Sequence, residues 1–281
     1  MNMAASESIW DKLGNLDRRI LFWAIVLIII IPLIHPLGLP VTVSERVREA
    51  YNFVEKAVKP RDIALIDLGT GLGPMPETMP GLLAMTRQLM RLQARIVFTT
   101  GYISPEAVVV IETVMDQTLR KDPKFVYGEH YVNFGWYTGG GTAIRRLASS
   151  WKDVFTRDWY GTPNERLPIM KDITGADSFR LVWHVGPEIA WITYWKLGKN
   201  VPVLVTYMAL NIPTYLPYYA AGDIYLLGGQ RESAEYEILV GVPGPGVPAM
   251  DYQSLGHLFV LAVVVLGNLG HIRRKLKRGT Q

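Results

Sequence analysis

The sequence predicts an α/β domain, a mostly parallel sheet covered on both faces by helices, held between two apolar segments that cross a membrane. Three observations carry this reading. Short apolar runs alternate with helical periodicities through residues 41–239. Residues 20–34 read ILFWAIVLIIIIPLI, and residues 255–272 read LGHLFVLAVVVLGNLGHI. Charged residues form only 19% of the chain, below the roughly 25% of soluble domains, which leaves apolar surface for lipid to face.

The elements follow in order. Residues 1–19 form a tail in which Lys12, Arg18 and Arg19 balance Glu7, Asp11 and Asp17. Residues 20–40 form the first span, with a kink at Pro32. A cleaved signal peptide competes with this reading, but HPLGLP offers no small-x-small cleavage site. Residues 44–58 place Val47, Ala50, Tyr51, Val54 and Val58 at helical spacing behind Ser44 as N-cap. IALID (63–67), a loop, a helix over 80–93 and RIVFTT (95–100) make a βαβ unit.

A helix over 105–120, a strand over 125–136, a helix over 141–151, FRLVWHV (179–185), a helix over 187–197 and VPVLVTY (201–207) continue the alternation. The class is therefore Rossmann-like. Residues 152–178 form a long polar excursion over the active edge. Within 217–239, three acids, Glu232, Glu235 and Glu237, are expected on a solvated helical face. Residues 240–254 read as a Pro/Gly linker to the second span, 255–272, which ends in the basic tail 273–281.

Charge sets the expected topology. Five cations follow the second span within six residues, whereas the 20 residues before it carry none. The Lys/Arg bias then places both termini in the cytoplasm and the α/β domain outside, against Arg46, Arg48, Lys56 and Lys59 on the outer side; a cytoplasmic domain is the alternative. The expected partners are the lipid bilayer and either further copies of the chain or other membrane proteins. The middle region is near neutral, which excludes an electrostatic footprint for nucleic acid. With no Cys, disulfides, thiolate chemistry and Cys-based zinc sites are impossible.

Ligands of open α/β sheets bind outside the carboxyl ends of the strands. That rule nominates Asp67, Thr99 and His184 at strand ends, with two glycine loops, Gly69, Gly71 and Gly73 after the first strand and Gly139 and Gly140 after the third. Glycines at a helix start free backbone N–H groups for an anion. No metal spacing or G-x-S-x-G elbow is present, and no metal or cofactor is expected. His130, inside the third strand, reads as a hydrogen-bonded histidine. Tyr218, Tyr219, Tyr225 and Tyr236 are the expected interface residues.

ALIDLGTGLG (64–73) resembles the first motif of Rossmann-like S-adenosylmethionine methyltransferases. It departs from them at Pro74, Pro76 and Pro80, where the helix should begin, and at Thr99-Thr100, where an acid would hold the ribose. The strings YGEHYVNFGW, YGTPNERLPIMKDI and LGGQRESAEYEIL resemble those of an uncharacterised family of prokaryotic two-span membrane proteins. That resemblance implies the architecture and transfers no catalytic residue. The expected function is a structural or assembly component of a membrane complex. The alternative is an enzyme or sensor for a small anionic or nucleotide-like ligand at the crevice, methyltransferase being a minor option.

Overall fold

The computed structural model describes residues 17–101, 105–242 and 244–278. The chain divides into two compact units, residues 1–40 with 248–281, and residues 41–247.

The second unit is an α/β domain around six parallel strands, β1 (Ile63–Leu68), β2 (Arg95–Thr100), β3 (Tyr131–Trp136), β4 (Leu181–Val185), β5 (Val203–Tyr207) and β6 (Ile224–Gly228). Their order is β3-β2-β1-β4-β5-β6, with one reversal between β1 and β4. This is the order of a doubly wound sheet and supports the Rossmann-like class. Strands buried on both faces need apolar residues throughout, and β1, β2, β4 and β5 are buried along their whole length.

Taking α1 as Arg18–Ile34 in the first unit, the helices of the domain are α2 (Glu45–Ala57), α3 (Met75–Arg91), α4 (Ala107–Gln117), α5 (Gly140–Ser149), α6 (Ile212–Ala220) and α7 (Gly229–Val240). The apolar residues of α2, α3, α4 and α7 pack on one face of the sheet. Those of α5, a π-helix at Trp191–Leu197, α6 and the 152–178 excursion pack on the other. Winding β1–β2–β3 through one layer and β4–β5–β6 through the other follows from the right-handedness of parallel crossovers.

Several expectations change. The helix after β1 starts at Met75, because Pro74 and Pro76 stand at its first positions, where the missing N–H groups have no intrahelical partner to lose. The third strand begins at Tyr131, and Val126–His130 is a turn whose His130 amide donates to the Val126 carbonyl (2.8 Å). The excursion follows β3, with the Trp159 amide on the Asn133 carbonyl (2.8 Å), so it covers an edge strand. The sequence reading also missed α6 and β6.

The acids of α7 are not a solvated face: Glu232, Glu235 and Glu237 are all buried. Glu235 Oε2 accepts the amide and the hydroxyl of Ser44 (2.9 and 2.6 Å), which stands at the start of α2. Glu232 pairs with Arg46 on the first turn of the same helix. Glu237 Oε2 accepts the amides of Gly246 and Val247 (3.0 and 3.2 Å), the first residues of α8 (Gly246–Arg278). A carboxylate on the free amides of a helix start satisfies them and opposes the positive end of the helix dipole. The expected linker 240–254 is correspondingly shorter, since helix begins at Gly246.

Among the described residues, one helix is long and apolar enough to cross a membrane, Gly246–Arg273, most of it in the first unit. The other, α1, has 17 residues and ends at Ile34, short of the expected 20–40 span. Beyond it, the amides of Leu37, Gly38 and Leu39 donate to Asp251 of α8 (2.7, 3.0 and 3.0 Å). Three successive amides around one carboxylate form an anion nest, and Asp251 is buried in it.

Two outcomes are expected. Asp251→Ala accelerates hydrogen exchange at Leu37, Gly38 and Leu39 by about tenfold or more, the loss of bonds to a charged acceptor, and leaves β1 amides unchanged. Burial holds the Glu237 carboxyl above the usual carboxylate range, outweighing the pull of the Gly246 and Val247 amides. The folded chain therefore keeps this proton to a higher pH than the unfolded chain, whose value is about 4.3. Its contribution to stability falls as pH rises from there through the folded value. Glu237→Gln flattens this limb, read from denaturation midpoints across acid to neutral pH.

Candidate functional site

The reversal between β1 and β4 puts Asp67 beside His184, and the β1–β2 register puts it beside Thr99. These three predicted residues are therefore brought together in one row across adjacent strands. All are buried, Asp67 to 1% exposure and the others completely.

Every acceptor position of Asp67 is used. Oδ1 accepts the Thr99 hydroxyl (2.8 Å) and the Tyr137 phenol (3.2 Å). Oδ2 accepts the Trp191 indole N–H (3.0 Å) and lies 2.9 Å from His184 Nδ1. The far nitrogen of His184, Nε2, accepts the amide of Glu188 (3.1 Å), so the ring proton sits on Nδ1 and faces the carboxylate. Burial, then the Asp67 charge, pushes the Tyr137 phenol well above its usual range, which keeps it a donor.

The chemistry of this arrangement is restricted. An Asp–His pair serves a nucleophile only through a free Nε2, and here that nitrogen is occupied by the backbone. A carboxylate has about four lone-pair sites, and four donors fill them.

The first glycine loop is also occupied. The Gly69 amide donates to the Val185 carbonyl (2.9 Å). A β-carbon on Gly186 would stand 2.7 Å from the Gly69 carbonyl oxygen, so the two backbones close together where the strand order reverses. The Leu72 amide donates to Glu106 Oε1 (3.1 Å), and a side chain at Gly71 would collide with that same carboxylate. A negative group thus lies against the loop, and it belongs to the chain itself. Gly73 has open space around its α-carbon.

The second loop lies apart from Asp67 itself but shares Tyr137 with it. Gly139, at φ +104°, opens α5, and Gly140 follows at φ +49°. Gly139 lines a cavity of about 470 Å³ with Trp136, Thr142, Arg146 and Asp153, in whose wall Asp67 takes no part.

The predicted tyrosines do not form one surface. Tyr236, expected at an interface, is instead fully buried against Trp183 and Tyr51, where its hydroxyl donates to Gln88. Tyr225 stacks on Phe53 of α2 at 4.3 Å. Tyr219 donates to Glu49 (2.7 Å) beneath Arg46, and Tyr218 packs against the core.

Two members of the Asp67 network, Tyr137 and Trp191, were not anticipated. The π-helix turns Trp191 onto Asp67 and Trp195 onto the Ile144 carbonyl (3.0 Å). The two tryptophans four residues apart were the available signal. Among the described residues no group of three or more His, Asp or Glu is placed to hold a metal. In comparisons with known proteins, no family model, no curated protein and no solved structure matches the chain.

Asp67→Asn keeps the shape but turns an amide toward donors, which costs about 3 kcal/mol or more of stability. Chemical denaturation of the full chain in detergent, followed by tryptophan fluorescence, measures the loss.

Proposed function

We propose that the chain is a membrane-anchored, non-catalytic α/β domain that serves as a structural component of a membrane assembly. The observation that carries this is the saturation of Asp67: the strand-end position where a doubly wound sheet receives its ligand is filled by donors from the chain itself. The Glu106 carboxylate against the first glycine loop supports the same reading.

Two spans belong to the proposal. The 17 residues of α1 cover about 25 Å at 1.5 Å each, close to the roughly 30 Å of a hydrocarbon core. Its apolar side chains, such as Phe22, Trp23 and Leu33, are exposed, as are Leu258, Leu261 and Val265 of α8. The Asp251 nest ties the end of one apolar segment to the other, which supports a pair of helices crossing together. Both termini then lie in the cytoplasm and the domain outside, by the Lys/Arg bias.

A second reading is favoured by the 470 Å³ cavity at the start of α5, where Arg146 and the positive end of the helix suit a small anion. One measurement separates the two: the mass of the assembly extracted in a mild detergent, with small molecules identified from the same sample. The structural reading expects a homo- or hetero-oligomer that carries no metabolite. A monodisperse monomer removes it, and a retained anionic molecule that Arg146→Ala releases establishes the second.

A further inference from the structure

At the opposite end of the sheet from Asp67, the segments entering β1, β2 and β3 enclose a cavity of about 570 Å³. Its walls carry Arg61, Arg91, Arg95, Lys124 and His130 against a single acid, Asp122. Arg91 pairs with Glu55 and Arg95 with Asp172. Arg61 and Lys124 make no direct ion pair among the described residues, though the Arg61 charge also acts on Asp172 from a distance. His130 Nδ1 accepts the Val126 amide (3.1 Å), which leaves its ring proton on Nε2 as a donor.

The backbone around this cavity is unusual in a way that bears on its use. Three non-glycine residues have positive φ among those described, and two of them, Arg61 (+69°) and Gln93 (+58°), line it. Arg61 is the third residue of a turn with Pro60 second, closed by the Asp62 amide on the Lys59 carbonyl (3.0 Å), a place that favours glycine. Gln93 ends α3, its amide on the Met90 carbonyl (2.9 Å) and the next amide on Leu89 (3.0 Å), the helix-ending motif that again favours glycine. The two are joined by the Arg61 amide on the Gln93 carbonyl (2.9 Å). Glycine would relieve both positions, so the turns do not account for the side chains that stand there.

We propose that this cavity is a binding site for a phosphate monoester. Two unpaired cations match its charge of about −2, and a guanidinium with an ammonium and an imidazole N–H supplies donors for its three oxygens. Met90 and Phe125 give the cavity an apolar wall for the organic part. The same group occurs in a soluble phosphorylated molecule and in a phosphatidic-acid headgroup.

The test uses the full chain in phosphatidylcholine nanodiscs. The unfolding temperature is followed as inorganic phosphate replaces chloride at constant ionic strength, and again in nanodiscs containing phosphatidic acid. The wild type is expected to be stabilised by at least one of the two. Arg61→Gly, which relaxes the turn and folds at least as stably, and Lys124→Ala should each need about tenfold more phosphate, or lose the response. A response to inorganic phosphate assigns a soluble ligand, and one to phosphatidic acid alone assigns a lipid. No response in the wild type to either, or a response that Arg61→Gly retains in full, overturns the proposal.

Discussion

A carboxylate buried where the strand order reverses must be met by hydrogen-bond donors, and Asp67 is. Its donors come from β2, from the residue just after β3, from β4 and from the π-helix. One charge therefore ties three adjacent strands and the layer that covers them. A parallel sheet has no hydrogen bonds between successive crossovers at its carboxyl edge, so the loops there are free to diverge. Here they are drawn inward. The neutral His184, held by the Glu188 amide, extends the network into the start of the next crossover. Such a network is costly when half satisfied and rigid when complete.

The same solution recurs with different partners. Glu232, Glu235 and Glu237 serve backbone amides, a hydroxyl and two arginines, Arg46 and Arg231, and Asp251 serves three amides in the other unit. For Glu237 burial still outweighs the amides on Oε2, whereas at Asp67, Glu232, Glu235 and Asp251 the buried carboxylate is met by donors on both oxygens. This is why a chain with few charges places so many acids inside.

Much of the fold was legible because its signal is local. Five strands alternate with helices, and runs such as RIVFTT and VPVLVTY declare themselves by composition. Residues 224–228 did not, because IYLLG is short and sits between Gly222-Asp223 and Gly228-Gly229, where punctuation outweighs the strand. The acids of α7 were misplaced for a different reason. A helical pattern places Glu235 on a face, but only tertiary structure brings Ser44 to it. The strand-end rule assembled Asp67, Thr99 and His184 correctly in space. It had no access to the Trp191 donor, since a π-helix shifts side chains off the ordinary helical period, nor to Tyr137, which follows β3 and reaches Asp67 only in the folded sheet.

The two chain ends of the domain meet on α7, Ser44 at Glu235 and Gly246 at Glu237, two residues apart. This arrangement has a mechanical meaning. Tension applied between Ser44 and Gly246 runs through a few bonds along one side of α7 and short-circuits the sheet. The parallel strands are then never peeled from their ends, and the ladder stays unstressed while the residues outside the clamp move. A six-stranded domain whose two chain ends are clamped to one helix is thereby shielded from shear when the segments beyond them move.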